Sequence, residues 1–595
     1  MPGFFNLGQS RFRIMQNAMQ NRMQNISLLI LCLISFAIQA AEPADIVLSG
    51  GKIYTVDAAR SWAQAVAITG DRISFVGSDD DAKSFIGEFT EVIDLSGRMV
   101  LPGFQDSHIH PIAASLKSYM CNLYGLPTVA AYFEEIQRCV EKHGDSAWIH
   151  GTGWSHRLFP DDAKPTSKML DEIAPDVPLT LNSYDGHSLW ANSKAMQMAG
   201  VDADTADVEA GEVVRYPGSQ EPTGLFLEDE AQSLVLDARP PYSDDAIYAG
   251  LMNVQKYLNS LGITSVQDAL ANLQEGGEYS VLPAYRNAAD RGMLTLRVVA
   301  SMYWEPTKGM EQVADLVRAR DEFSRGLFRA TTVKIWYDGV MHTRTSKLIE
   351  PYADKESETG MSLLSPERLN ELSIALDREG FQLHFHADGD LAIRESLDAV
   401  EAAIGTNGQS DHRHHIAHLE LIHPDDIPRF RKLSVIANVQ PMWSTYPPYI
   451  SDLIDNKIGT ERSRWLEINK SFLDHGVMVA YGSDWFVTSP NPMDLIESAV
   501  TRIRPQLALD DKRNSSPPLP GENVSVADAI ASYTINGAFL NHQDEDTGSI
   551  ETGKFADLNV LDQDLFDVEQ VRISETKVLL TIMNGNIVHG ELPLQ

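Results

Sequence analysis

The segment Leu101-Pro102-Gly103-Phe104-Gln105-Asp106-Ser107-His108-Ile109-His110-Pro111 most constrains what this chain can fold into. It sets two imidazoles at spacing two, directly after a β-type run from Arg98 to Leu101 and a Pro-Gly turn. Residues i and i+2 of an extended segment share a face. His108 and His110 therefore project together, and paired neutral imidazoles suit zinc and similar borderline metals. A lone His-x-His carries little weight. Here four more strand-like segments follow in order, each bringing a residue of ligand type. Polar chemistry at the C-terminal ends of parallel strands is what a (β/α)8 barrel presents.

The remaining chain agrees with that architecture. Its 595 residues exceed one compact domain, and a hydrophobic fraction of 43% is ample for a core. The net charge of −35, from 83 acidic and 48 basic residues, argues against nucleic acid or an anionic membrane as partner. At the N-terminus Arg11, Arg13 and Arg22 precede an apolar run from Leu28 to Ile38, with Ala40-Ala41 as small residues for cleavage. That run, of about eleven residues, is short for a bilayer span. Residues 1–40 are therefore expected to be a signal peptide, with the true start open between Met1, Met19 and Met23. The mature protein is then periplasmic or secreted and keeps no stable membrane anchor.

Short strands with tight turns fill 45–100 and return only at 546–595, which predicts a small β-sandwich domain built from both chain ends. Residues 101–545 alternate strands with amphipathic helices, the pattern of an α/β protein with a parallel sheet. One helix is fully punctuated. Ser365 caps it, Pro366 opens it, Leu369, Leu372 and Leu376 form its stripe, and Gly380 ends it. The stretch from about 120 to 243 is too long for ordinary barrel loops and is expected to be an insertion covering the site. Within it, Cys121 and Cys139 either form a disulfide or leave Cys139 as a buried thiol on an apolar stripe.

The later strand-like segments carry the remaining candidates. In Thr331 to Gly339, Val333 and Ile335 face one way and Lys334 the other, so Lys334 points inward, where a lone ammonium is costly. A salt bridge to an inward carboxylate would answer that equally well. His386 lies in His-Ala-Asp-Gly-Asp with His384 on the same face, and His418 follows His412, His414 and His415. Asp484 stands in Tyr-Gly-Ser-Asp-Trp, where a helix N-cap is the plain alternative.

These motifs together resemble the amidohydrolase superfamily, in particular the amidohydrolase 3 branch similar to N-substituted formamide deformylases. The resemblance runs from Asp45 to His589. It is carried by LPGFQDSHIHP, VKIWYDG, HFHADGD, HIAHLE, YGSDW and GSIETGKFADLNVLD, with GTGW and DGHSLWANSKA specific to that branch. It implies His108, His110, His386, His418 and Asp484 as metal ligands and Lys334 as a carbamylated bridge between two divalent ions, zinc by ligand type. It further implies Asp484 as the catalytic proton carrier, with Trp154, His187 and His384 on the substrate side. The expected reaction is attack of a metal-activated hydroxide on a small-molecule amide. Same-fold deamination, lactone or carbamate hydrolysis, and a non-catalytic scaffold are the alternatives. A homo-oligomer is compatible with all of these.

Overall fold

The computed structural model describes residues 42–591 apart from 118–119, 145–146, 160–163, 184–187, 209–210, 273–279 and 506–517. The expected signal peptide lies outside the described residues. Among those described, no helix is long and apolar enough to cross a membrane.

Eight parallel strands form the central sheet in sequence order. We number them β1 (Phe104–Ile109), β2 (Ile263–Ala271), β3 (Arg297–Tyr303), β4 (Phe328–Trp336), β5 (Gln382–Ala387), β6 (His415–His418), β7 (Ile436–Val439) and β8 (Val479–Tyr481). The edge strands meet. Ser107 Oγ donates to the Tyr481 carbonyl at 2.6 Å, and beyond β8 the Asp484 amide donates to the His108 carbonyl at 2.7 Å. The fold is a (β/α)8 barrel.

Alternation along neighbouring strands builds this interior in layers. Thr332, Lys334 and Trp336 of β4 pair in register with Gln382, His384 and His386 of β5. Low in the barrel, Thr332 Oγ1 and Gln267 Nε2 both donate to Gln382 Oε1, at 2.8 and 3.0 Å. The intervening residues Val333, Ile335, Leu383 and Phe385 face outward into one apolar cluster with Leu369, Leu372 and Leu376 of the helix Pro366–Arg378. Ser365 caps that helix by accepting from the Arg368 amide, and Gly380 leaves it at φ +81°.

Two further sheets use both chain ends. One holds Ile46–Ser49, Ala65–Thr69, Arg72–Gly77 and Glu91–Asp94, and the other joins Lys52–Tyr54, Trp62–Ala63 and Met99–Pro102 to Leu558–Leu561, Val578–Met583 and Asn586–Gly590. They share an apolar cluster that includes Leu48, Ile68, Val100 and Val560. Arg297 on β3 forms a buried ion pair with Asp557 at 2.9 Å, tying this end to the barrel. Between β1 and β2 a separate sheet of six strands runs from Cys121–Asn122 to Pro222–Leu227. A disulfide between Cys121 and Cys139, with Cα atoms 5.6 Å apart, joins its first strand to the helix Val129–His143.

At the seam between β8 and β1, a Cβ on Gly482 would lie within 2.4 Å of His108 Cβ. Only glycine permits that approach. Gly482→Ala should cost about 1–3 kcal/mol of stability through overpacking and displace His108. A lowered thermal midpoint together with weakened divalent-ion binding would be the signature.

Candidate metal centre

The six residues expected to bind metal converge on one cavity of about 670 Å³ at the C-terminal end of the barrel. His108 lies near the end of β1 and His110 just after it, Lys334 and His386 lie on β4 and β5, His418 ends β6, and Asp484 follows β8. Asp484 Oδ1 stands 3.5 Å from His108 Nε2 and 3.1 Å from His110 Nε2. Ligand atoms of His108, His418 and Asp484 all lie within 4.8 Å of one another. The ring of His418 is 4.6 Å from that of His108 and 4.4 Å from that of His386.

The surroundings hold these rings in place. Trp443 stacks on His418 at 5.0 Å with 8° between planes, and Trp336 stacks on His386 at 5.1 Å. Asp338 accepts from the amides of Lys347, Asp388 and Gly389, and its Oδ1 stands 3.5 Å from His386 Nδ1. Asp106 accepts from the amides of His108 and Ser483 and so clasps β1 to the turn after β8. Two ligand positions adopt left-handed backbone, His418 at φ +80° and Asp484 at φ +51°. Such strain persists where surrounding bonds impose it. Here the His418 amide donates to Gln440 Oε1 and the Asp484 amide to the His108 carbonyl. Asp106, Asp338 and Gln440 have supporting roles that sequence reasoning did not assign. The two aspartates lay inside quoted motifs, but nothing in their spacing announced those bonds.

Electrostatics suit a cation. Burial pushes Asp484 upward, yet hydrogen bonds from His108 and His110 outweigh it and hold the carboxylate well below its usual range. Burial, reinforced by Lys334, lowers His108 to about 3, and burial drives His418 well below its ordinary value. Burial also brings Lys334 down to about 7, against the pull of Asp484 and Asp388. His108 and His418 are thus neutral imidazoles beside an ionised carboxylate. The buried Nδ1 of His418 has no hydrogen-bond partner, which fits a bound divalent ion.

Three expectations about the substrate side fare differently. His384 lies beneath the cavity and does not line it. Its Nδ1 pairs with Ser301 Oγ and its Nε2 with His108 Nδ1, both at 2.9 Å, so it orients a ligand. Trp154 is fully buried in the insertion, packed against Phe159 and Trp190, with its indole N–H donating to the Leu181 carbonyl at 2.8 Å. It is a core residue. His187 lies outside the described residues. No described residue of the insertion lines the cavity, whose aromatic wall is Trp336, Trp443, Tyr446, Tyr449 and Phe486 from barrel strands and loops.

The model of the amidohydrolase family matches residues 91–589. The chain belongs to the amidohydrolase family. A putative amidohydrolase, YtcJ, of Bacillus subtilis (strain 168) is 30% identical over 91% of this chain and 98% of its own. An N-substituted formamide deformylase of Arthrobacter pascens is 28% identical over 91% and 97%. The crystal structure of an uncharacterized metal-dependent hydrolase from Pyrococcus furiosus superposes with a TM-score of 0.70 at 25% identity, covering 87% of this chain and 99% of that one.

A second ligand-type cluster in this amidohydrolase, Asp377 with His412 and His414, is a hydrogen-bond network. His414 Nδ1 accepts from the Leu383 amide, which leaves Nε2 to donate to Asp377, and His412 and Asn407 also serve that carboxylate. His418→Ala should therefore lower bound divalent metal severalfold, while His412→Ala leaves it unchanged. Elemental analysis of both variants checks this.

Proposed function

We propose that this amidohydrolase is an exported enzyme that hydrolyses an amide-type C–N bond of a small molecule. The observation that carries the reading is the convergence of six ligand-type side chains on one cavity, with Asp484 in contact with both imidazoles of β1. The relative named for formamide deformylation supports an amide as the bond.

His108, His110, His386, His418 and Asp484 would hold two divalent ions, zinc by ligand type. Bound metal supplies an acidified water and a Lewis acid for the carbonyl oxygen. Lys334 is buried with its pKa lowered to about 7, so near neutral pH an appreciable fraction is the free amine that can add to carbon dioxide. In that addition the N–C bond forms as one C=O π bond of carbon dioxide opens, the nitrogen's proton passes to solvent, and the resulting carbamate would join the residues that hold metal. The cost of burying an ammonium disappears with it. Asp484 then does the proton work. Its carboxylate, kept basic-side ionised by His108 and His110, accepts a proton from the attacking water and passes it to the departing nitrogen as the C–N bond breaks. His384 bonds to His108 and Trp443 stacks on His418, which holds those two imidazoles in orientation.

A hydrolysis screen of the metal-loaded mature protein over amides, esters, lactones and aminopurines tests the reaction class, with amides expected to turn over. Elemental analysis should return two metal ions per chain. Asp484→Asn should retain the fold and lose about 10²–10⁴-fold in kcat, measured with metal content on the same sample. Lys334→Arg should fail, because a guanidinium stays cationic and cannot be carbamylated. Full activity in Lys334→Arg would remove the carbamate from this account.

A further inference from the structure

Beyond the candidate ligands, the cavity is walled almost without polarity. Apart from those six residues, Asp388 and His342, its described lining consists of apolar and aromatic side chains and Thr488. Two hydroxyls of this wall are already spent. Thr488 donates to the Ser483 carbonyl and Tyr449 donates to Glu420.

Two lining residues are also open to solvent. Phe486 is 39% exposed and Val487 60%, side by side on the loop that follows Asp484. Apolar residues exposed singly are ordinary. These two are adjacent, border the cavity and sit on a backbone that is pinned. The Asp484 amide is bonded to the His108 carbonyl, the His110 amide to the Trp485 carbonyl and the Val487 amide to the Asp484 carbonyl, at 2.7, 2.9 and 2.7 Å. Trp485 packs on Tyr257 of the helix Asp244–Ser260, with ring centroids 5.4 Å apart. Phe486 is thus held with its ring 6.1 Å from that of His110. An apolar group bound against this face would remove both surfaces from water. A ring there gains further from edge-on or offset contact with the aromatic wall. Size points the same way. The cavity of about 670 Å³ falls within the range, roughly 300–1,000 Å³, that takes drug-sized ligands. A simple alkyl amide would leave most of it unfilled.

We propose that Phe486 is a specificity-determining residue and that the substrate is an amide carrying a flat apolar group of more than one ring. That group lies against Phe486 and Val487 while the amide meets the metal centre. This rests on the cavity being the substrate site of the amidohydrolase reading, and it leaves the reaction itself unchanged.

Hydroxamates keep one metal-binding group constant and vary only in the apolar part. Calorimetry on the metal-loaded protein with acetohydroxamate, benzohydroxamate and 2-naphthohydroxamate therefore reads the wall without turnover. In the wild type, affinity should rise at least about tenfold from methyl to phenyl, the scale of burying one ring, and severalfold more to naphthyl. Phe486→Ala should cut the naphthyl-over-methyl ratio by about fivefold or more, the worth of a ring contact with its buried area. Phe486→Tyr, which keeps the ring, should restore it, with metal content measured on every sample. Equal affinity of the wild type for all three probes would overturn the proposal whether or not the variants fold. An unaltered ratio in a folded, fully metal-loaded Phe486→Ala protein would overturn the role of Phe486. If the preference for rings holds while no amide turns over in the screen, only the reaction assignment falls.

Discussion

The contact of Asp484 with the imidazoles of His108 and His110 sits where the last barrel strand returns to the first. Closing the barrel and assembling the reactive centre are therefore one structural event. The turn after β8 can reach β1 only because Gly482 lacks a side chain, and Asp106 then ties the amides of both segments together. Once that seam is closed, Asp484 is carried to the two rings at left-handed backbone, a conformation held by the bond from its amide to the His108 carbonyl. The carboxylate stays ionised in a buried place because those rings surround it. Every other element of the site is arranged around that pair.

The layered interior explains how a barrel tolerates so many polar groups. Gln382, His384 and His386 point inward from successive positions of one strand and serve different purposes. The lowest completes a hydrogen-bonded floor with Gln267 and Thr332, the middle one orients His108, and the uppermost faces the cavity. Burial lowers the proton affinity of the imidazoles and of Lys334 alike. A site so prepared carries a desolvation cost that a bound cation offsets.

The convergence of the six candidate ligands on one cavity was legible in the sequence because residue type, strand-end placement and chain order all bear on them at once. Trp154 was not, since an aromatic beside a motif looks the same whether it packs inward or meets a ligand. Only the bond from its indole to Leu181 shows that it belongs to the core of the insertion. His384 shared a face with His386, but two residues along a strand differ by about 6.6 Å in height, enough to move it from the cavity to the layer below. The aromatic wall was invisible for a related reason. Trp443, Tyr446 and Tyr449 come from a single 3-10 turn, Trp443–Thr445, a short helix, Pro447–Asp452, and the residue between them, after β7, elements too short for a period to mark which side chain turns inward. Asp338 and Gln440 act through bonds to amides of neighbouring segments, and such bonds depend on register, which one sequence does not display.

The most direct test of the central claim is anomalous diffraction from crystals of the zinc-loaded protein at the zinc edge. The account predicts strong peaks among His108, His110, His386, His418 and Asp484, with density for a carboxyl group on Lys334 Nζ between them. Peaks confined to Asp377, His412 and His414, or no peak near Asp484, would contradict it.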